Sequence, residues 1–568
     1  MKEKKWVVAK PAKGPVEKIS AKLGILPITA ELLVNRGINS TQDAEAFLCA
    51  SLSDLPSPFL MKGMEEAVER LRRCVRKKEK IAVYGDYDVD GVTATSLLTG
   101  FLRALGCDVI YYIPDRFKEG YGINSQALRA LKQKQVTLVI SVDCGITAVD
   151  EVAQARALGM DFIVTDHHSF LGQLPEAVAV LNPRQTDCGY PGKEVAGVGV
   201  AFNLALALRR TLREEGFFET TAEPNMGDFL DLVSLGTVSD RVPVENVNRI
   251  MLKEGLKRMR SPKRPGLRAL KDVSGIGDGI EIFDLGFRLG PRINAAGRLD
   301  SADKAVELLL SDSREEAFSL AKFLDERNSK RREIEEGILR DATRMLESVH
   351  GDTECNSLVL SSRKWHRGVV GIVASSIAGS YGKPAFLISV DENGVGRGSG
   401  RSFGGINIFS VLSKCEDLLM EFGGHAYAAG VTVLEEKIDL FRERFSEELE
   451  KSGQKPESRL NIDSEITLTS ISDTLVSEIE TLSPFGEGNP EPLFLSRAVR
   501  VMDQNLLRNQ HVRFRVRKNG SVLNCIWFYA SRKRLPEKID LVFALRFNVR
   551  NGEREPRLFI KDARETSG

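Results

Sequence analysis

No run of apolar residues in this chain approaches the length needed to cross a membrane, and the charged start from Met1 to Trp6 leads into no signal-peptide stretch. A cytoplasmic protein without a membrane partner is therefore expected. No C-x-x-C pair occurs among the eight cysteines, which lie far apart at positions 49, 74, 107, 144, 188, 355, 415 and 525. That spacing argues against zinc knuckles and a disulfide framework, and it predicts reduced, mostly structural thiols. Net charge is nearly absent as well, with 80 basic residues against 79 acidic, so affinity for a polyanion has to come from local asymmetry. The chain also lacks internal repeats, long low-complexity tracts, and any serine, cysteine or histidine arrangement suited to nucleophilic catalysis.

What is present is length, a local charge excess and a repeated strand–helix pattern. At 568 residues the chain is too long for one core and suggests roughly three to four domains. Residues 501–568 hold 15 Lys and Arg against 7 Asp and Glu, an excess that suits a nucleic-acid module. From Ile81, short β-rich runs alternate with helical stretches: 81–85, 109–113, 138–142, 162–165 and 177–181 read as strands of a parallel α/β sheet. Ligands of such sheets gather at the carboxyl ends of the strands, so the residues that follow each run matter most.

Those residues are acidic or imidazole. Asp86, Asp88 and Asp90 follow the first run, and alternation along an extended chain would send all three carboxylates to one side. Asp115 and Arg116 follow the second run, Asp143 the third, and Asp166, His167 and His168 the fourth. Asp240 closes a later helical stretch. A single acidic turn would read as solvated surface, but ligands repeated at one sheet edge read as a site. Together with Asp88, Asp90, Asp143 and His167, Asp240 supplies enough oxygen and nitrogen donors for two divalent ions sharing a carboxylate, the arrangement that activates water in phosphoryl displacement. A carboxylate-rich set with imidazole favours Mn2+ or Mg2+ over structural zinc.

In order and spacing, Asp86-x-Asp88-x-Asp90-Gly91, Val142-Asp143-Cys144-Gly145, Asp166-His167-His168 and Ser239-Asp240 resemble the four motifs of the DHH phosphoesterase superfamily. The stretches Arg292 to Arg298, Trp365 to Ala374 and Gly423-Gly424-His425 narrow the resemblance to its bacterial single-strand-specific exonucleases, over nearly the whole chain. The resemblance implies an α/β protein: a parallel-sheet DHH domain joined by a long helix to a smaller α/β DHHA1 domain, plus a C-terminal β-barrel of OB-fold type. The expected boundaries are 1–60 for an N-terminal segment packing on the core, 61–310 for the DHH domain, 311–350 for the connecting helix, 351–450 for DHHA1 and 458–566 for the barrel. Asp88, Asp90, Asp143, His167 and Asp240 would hold two Mn2+ or Mg2+ ions with Asp143 as the bridge. Asp86 and His168 would be ligands or orienters of ligands.

The expected substrate contacts lie elsewhere in the chain. Residues 396–402 read as a glycine-rich basic loop offering amides, hydroxyls and guanidiniums to a phosphate. With Arg116, its Ser399 and Arg401 would take the 5′-terminal phosphate, while Arg292, Asn294, Arg298 and His425 would lie near the scissile or adjacent phosphates. In the family the DHHA1 domain faces the metal site across a cleft. Alternating runs beyond residue 459 read as antiparallel strands, and Phe514, Trp527, Phe528 and Tyr529 interleave with basic residues as in a barrel that stacks bases.

The metal motifs and the basic barrel point to a metal-dependent phosphodiesterase that degrades single-stranded DNA, and the resemblance implies an exonuclease working 5′→3′ to 5′-mononucleotides in DNA repair and recombination. Single-strand-binding protein and a helicase are candidate partners, and a monomer is expected. A DHH phosphodiesterase of short oligonucleotides or cyclic dinucleotides would not need the basic barrel. An inorganic pyrophosphatase would usually carry a histidine where this chain has Tyr84. A non-catalytic DNA-binding replication factor of the same fold would have lost ligand positions that are all filled here.

Overall fold

The computed structural model describes residues 4–277, 279–349, 356–457, 459–507, 510–530, 534–550 and 553–566. Two compact units form, one mainly from Lys322–Leu460 with Asn294–Ser301, the other from Trp6–Ile293, Ala302–Ala321 and Asn461 onward. The parallel sheet and the C-terminal barrel thus belong to the same unit.

The parallel sheet has the strand order Val109–Tyr112, Ile81–Tyr84, Leu138–Val142, Asp161–Thr165, Ala179–Leu181. Every residue of Ile81–Tyr84 and Leu138–Val142 is buried, which is why these strands read as continuous apolar runs rather than alternating ones. One face packs on the helices Ser125–Gln133 and Val149–Ala157 through Leu128, Leu131, Val152 and Ala155. The helix Val89–Ala104 leaves the end of Ile81–Tyr84 and is almost wholly buried, so the residues at its start are held as firmly as core residues.

The expectation that Asp86, Asp88 and Asp90 alternate along an extended strand is not met. The strand ends at Tyr84 and the helix begins at Val89, so Asp86 lies in the connection, Asp88 caps the helix and Asp90 sits in its first turn.

The barrel of the same unit closes because Phe494–Leu507 pairs with both His511–Lys518 and Lys538–Arg550. It is not wholly antiparallel: Ser521–Trp527 runs parallel to Glu553–Glu565. Phe514 and Trp527 fill its interior, whereas Phe528 and Tyr529 are 51% and 77% exposed. The N-terminal helices Lys13–Leu23 and Pro27–Asn35 share the barrel's core through Val16, Ile19, Leu32 and Leu33. The turn-rich run 484–490 packs on the segment just after Asp240, with the amide of Val244 donating to the carbonyl of Glu487 at 2.7 Å.

The other unit is built on a mixed sheet of order Glu421–His425, Ala428–Leu434, Val395–Arg401, Ala385–Val390, Leu358–Ser362. The glycine-rich run around Ser399 is an interior strand here and not a loop. Side chains at Gly398 and Gly400 would meet Ile388 at 2.7 Å and Phe386 at 2.3 Å, so the glycines let the strand lie flat over a core with large residues. Its amides are spent on the sheet ladder, and only the side chains of Arg397, Ser399 and Arg401, on the opposite face, are left to meet a ligand. The charged connector is a single helix, Arg314–Val349.

Candidate metal centre

The metal centre lies in the unit that contains the parallel sheet and is assembled from four chain segments that end at the same edge. Asp88 caps the helix Val89–Ala104, its Oδ1 accepting the amides of Asp90 at 2.8 Å and Gly91 at 3.1 Å. Asp90, one step further, is buried and accepts the amides of Gly197 at 2.6 Å and Val198 at 2.9 Å. Those amides open the helix Gly197–Glu214, so its N-terminus faces a carboxylate, as the helix dipole favours.

Asp143 follows Leu138–Val142 in the left-handed region, at φ 61°. A non-glycine residue held there carries strain of about 1–3 kcal/mol, a cost commonly found where a side chain must be aimed. The carboxylate it presents lies against Gly197, where an added Cβ would come within 2.7 Å of Asp143 Oδ1. Asp240 closes the helix Leu230–Ser239.

His167 stands in the middle of these groups. Its Nε2 is 3.1 Å from Asp143 Oδ1, 3.6 Å from Asp240 Oδ2 and 3.7 Å from Asp90 Oδ2. The shortest of these lacks hydrogen-bond geometry: both ring nitrogens of His167, together with Asp143 Oδ1 and Asp86 Oδ1, are buried without a hydrogen-bond partner among the described residues. Ligand atoms from Asp86, Asp88 and Asp143 lie within 4.8 Å of one another, as do those from Asp143, His167 and His168 and those from Asp90, His167 and Asp240. All seven residues expected at the site are therefore brought together, and Asp143 and His167 each take part in two of the three groups.

The electrostatics show what this arrangement lacks on its own. Burial, followed by repulsion from neighbouring carboxylates, raises Asp86 to about 8, Asp90 to about 7 and Asp240 to about 8, and holds Asp143 well above the usual carboxylate range. Burial and the nearby His168 lower His167 to about 4, which leaves it a neutral donor. Carboxylates this crowded require a cation to ionise together, and orphaned oxygen and nitrogen atoms lie where one would bind. The donor set fits divalent ions that take oxygen and imidazole ligands.

Asp166 plays a part the sequence did not announce. Its Oδ1 accepts the amide of His167 at 2.7 Å, the amide of His168 at 3.1 Å and a bond from His168 Nδ1 at 2.7 Å, while its Oδ2 accepts the amide of Ile146 at 2.9 Å. Burial would raise this carboxyl, but the bonds from His168 and the amides bring it below the usual range. His168 is moved the other way: burial opposes its charge, yet Asp166 raises it to about 9. With Nδ1 committed to Asp166, only Nε2 remains for a metal.

The remaining expected residues are distributed differently. Arg116 lies over the ring of Tyr87 at 5.0 Å, beside Asp86. Arg292 is buried and donates to the carbonyl of Arg288 at 2.6 Å. In the other unit, Arg298 donates to the carbonyl of Gly368 at 3.1 Å, and Arg401 donates to Ser399 Oγ at 2.8 Å. Both Arg401 and His425 pair with Ala428, so Ser399, Arg401 and His425 share one sheet face, and Asn294 belongs to this unit as well. Asp166 was marked in the sequence only as part of the motif with His167 and His168, and Gly236 was given no part; a Cβ at Gly236 would come within 2.8 Å of Asp90 Oδ1.

Comparison with known proteins fits this geometry. The DHH family, N-terminal domain, matches residues 80–237; the DHHA1 domain matches 355–451; the RecJ OB domain matches 462–562. The single-stranded-DNA-specific exonuclease RecJ of Bacillus subtilis is 38% identical over 98% of this chain and 70% of its own length. The chain belongs to the RecJ family. The RecJ of Escherichia coli is 37% identical over 94% of this chain and 95% of its own. The crystal structure of RecJ from Thermus thermophilus in complex with Mn2+ superposes with a TM-score of 0.85 at 31% identity, covering 100% of this chain and 81% of that one. The Mg2+ complex of the same RecJ gives 0.77 at 29% identity, covering 99% of this chain and 79% of that one. The metals held by these RecJ structures are those for which the donor set here is suited.

Proposed function

We propose that this RecJ-family chain is a metal-dependent exonuclease that hydrolyses single-stranded DNA from the 5′ end to 5′-mononucleotides, in DNA repair and recombination. The observation that carries this reading is the convergence of Asp86, Asp88, Asp90, Asp143, His167, His168 and Asp240 into three ligand groups sharing Asp143 and His167. Two divalent ions bound there would supply an activated water and offset the charge that develops on the scissile phosphate. The protein's own part is to keep the ligands fixed: Gly197 and Val198 hold Asp90, the left-handed backbone aims Asp143, and Asp166 orients His168. Asp143 is the proposed bridging ligand.

Each hydrolysis joins a water oxygen to phosphorus and breaks the bond to the 3′ oxygen of the departing nucleotide. The shortened strand then carries a new 5′-phosphate, so every cycle regenerates the end that the next one needs. Ser399 and Arg401, hydroxyl and guanidinium on one sheet face, are proposed to bind that phosphate, with His425 and Arg298 on neighbouring phosphates. Arg116, Arg292 and Asn294 are proposed as further phosphate contacts. Single-strand-binding protein and a helicase are the candidate partners.

Incubating the protein with single-stranded DNA labelled at the 5′ or the 3′ end, in Mn2+, Mg2+ or chelator, tests the reading. The expected result is release of labelled mononucleotide from the 5′ end at once, loss of 3′ label only as strands are exhausted, and no cleavage in chelator. Cleavage that survives chelator, or mononucleotides that leave first from the 3′ end, would overturn it.

A further inference from the structure

Besides Arg116, a second arginine lies close to the metal centre. Arg184 follows Ala179–Leu181, an edge strand of the parallel sheet, on the turn Asn182-Pro183-Arg184. Asn182 is fully buried and fixes that turn twice over: its Oδ1 accepts the amide of Arg184 at 2.8 Å, and its Nδ2 donates to the carbonyl of His168 at 3.0 Å. The backbone that carries Arg184 is therefore tied to the backbone that carries His168.

The guanidinium is tied as well. Its Nη1 donates to Ser169 Oγ at 2.9 Å and its Nη2 to Glu194 Oε2 at 2.5 Å. The side chain thus spans from the residue after His168 to the segment leading into the helix Gly197–Glu214, whose first amides hold Asp90. Nε is buried and has no hydrogen-bond partner among the described residues, while the side chain as a whole keeps 31% of its surface exposed. An exposed Arg–Glu pair is worth about 0–1 kcal/mol and an unpartnered buried donor costs about 1–3 kcal/mol, so stability does not account for the arrangement.

Electrostatics do account for it. Five carboxylates and two divalent ions would leave the proposed centre with a net charge of −1, which does not draw in a strand charged at every linkage. Burial is the largest influence on the pKa values of His167, Asp240 and Asp86; among the smaller ones, the charge of Arg184 lowers the first two and that of Arg116 lowers the third. The two arginines therefore attend different ligand groups of one compact unit. Nη1 and Nη2 of Arg184 each bond one acceptor among the described residues, which leaves each a further N–H, as a two-pronged phosphate contact needs.

We propose that Arg184 binds a backbone phosphate of the single strand beside the ligand group Asp90, His167 and Asp240, a contact separate from that of Arg116 near Asp86. The proposal rests on the exonuclease reading above and adds one phosphate contact to it. Such a contact positions the strand and reads no sequence.

The test measures binding of the full chain, in chelator so that DNA is not cut, to oligo(dT) carrying a 3′ fluorescein, by anisotropy at several salt concentrations. Each phosphate contact on a single strand contributes about 0.7 to the slope of log affinity against log salt. Arg184→Gln should weaken binding about ten-fold and reduce that slope by about 0.7, whereas Arg184→Lys, which keeps the charge, should keep the slope. Oligonucleotides in which one uncharged methylphosphonate linkage moves stepwise from the 5′ end locate the phosphate: at one position the loss of affinity seen in the wild type should vanish in Arg184→Gln. Equal slopes and equal methylphosphonate profiles in wild type and Arg184→Gln overturn the proposal and leave Arg184 as a clasp between Ser169 and Glu194. A wild type that neither binds oligo(dT) nor degrades it in Mn2+ overturns the exonuclease reading itself, which separates the two failures.

Discussion

At the scale of single residues the metal centre is organised by Asp166, which needs to touch no metal. It accepts two consecutive amides and the Nδ1 proton of His168, so it fixes both the turn that presents His167 and the ring orientation of His168. Asp166→Asn preserves the shape and removes the charge. Partners of this kind typically change metal affinity or activity about 10–100-fold. The variant is expected to bind Mn2+ about 10–100-fold more weakly by calorimetry. His168, now raised to about 9 against the opposing effect of burial, should titrate lower in the metal-free variant, as followed by NMR, with Asp240 and Asp90 still acting to raise it. Unchanged affinity together with an unchanged His168 titration would mean that Asp166 merely caps the turn.

At the scale of elements, a cation with no carboxylate partner among the described residues joins three parts of one unit. Arg249, from the helix Asn246–Arg260, is 3% exposed and donates to the carbonyls of Phe47 at 3.2 Å, Leu482 at 2.9 Å and Thr481 at 3.1 Å. Its guanidinium also covers the ring of Phe47 at 3.9 Å, and burial lowers its pKa to about 10. Arg249→Ala removes the guanidinium donor from the carbonyls of Phe47 and Thr481, while the carbonyl of Leu482 keeps Asn489 Nδ2 at 2.9 Å, and each stranded acceptor costs about 1–3 kcal/mol where water cannot replace it. A loss of about 2–4 kcal/mol in urea unfolding is expected, with Arg249→Lys recovering part of it. These contacts join residues some 200 or more apart in sequence and follow from no local pattern. What was legible was the local part: Leu138–Val142 shows in the sequence because it is apolar apart from Ser141, and Asp88, Asp90, Asp143 and His167 are marked by following such runs, whereas Asp240 closes a helix. The strand around Ser399 was misread as a loop because glycine ordinarily signals a turn, whereas here Gly398 and Gly400 make room for Ile388 and Phe386 on the neighbouring strand. The trio at Asp86 was recognised as a site but given strand geometry, because aspartates at every second position imitate a strand, whereas Asp88 is the cap of a helix that begins at Val89.

For the whole molecule, the crowded carboxylates link metal, protons and stability. Asp86, Asp90 and Asp240 titrate near 7 to 8 in the folded, metal-free chain, whereas unfolded they ionise near 3.8. Over that interval the unfolded chain holds fewer protons than the folded one, so the metal-free protein loses stability as pH rises toward 8. His168 acts in the same sense, its contribution being complete below 6.5 and lost as pH rises through about 9. His167, lowered to about 4, acts oppositely only between about 4 and 6.5, so from pH 6.5 to 8 no group of the centre opposes the trend. A bound divalent ion removes the repulsion and stabilises only the folded chain, by about 2.7 kcal/mol at a hundred times its dissociation constant. Thermal melts in chelator should therefore show Tm falling between pH 6.5 and 8, while melts in excess Mn2+ stay nearly level. The gap between the two should widen by several degrees, at about 2–4 °C per kcal/mol for a large domain. A gap that stays constant across this window would place the stabilising ion somewhere other than among these buried carboxylates.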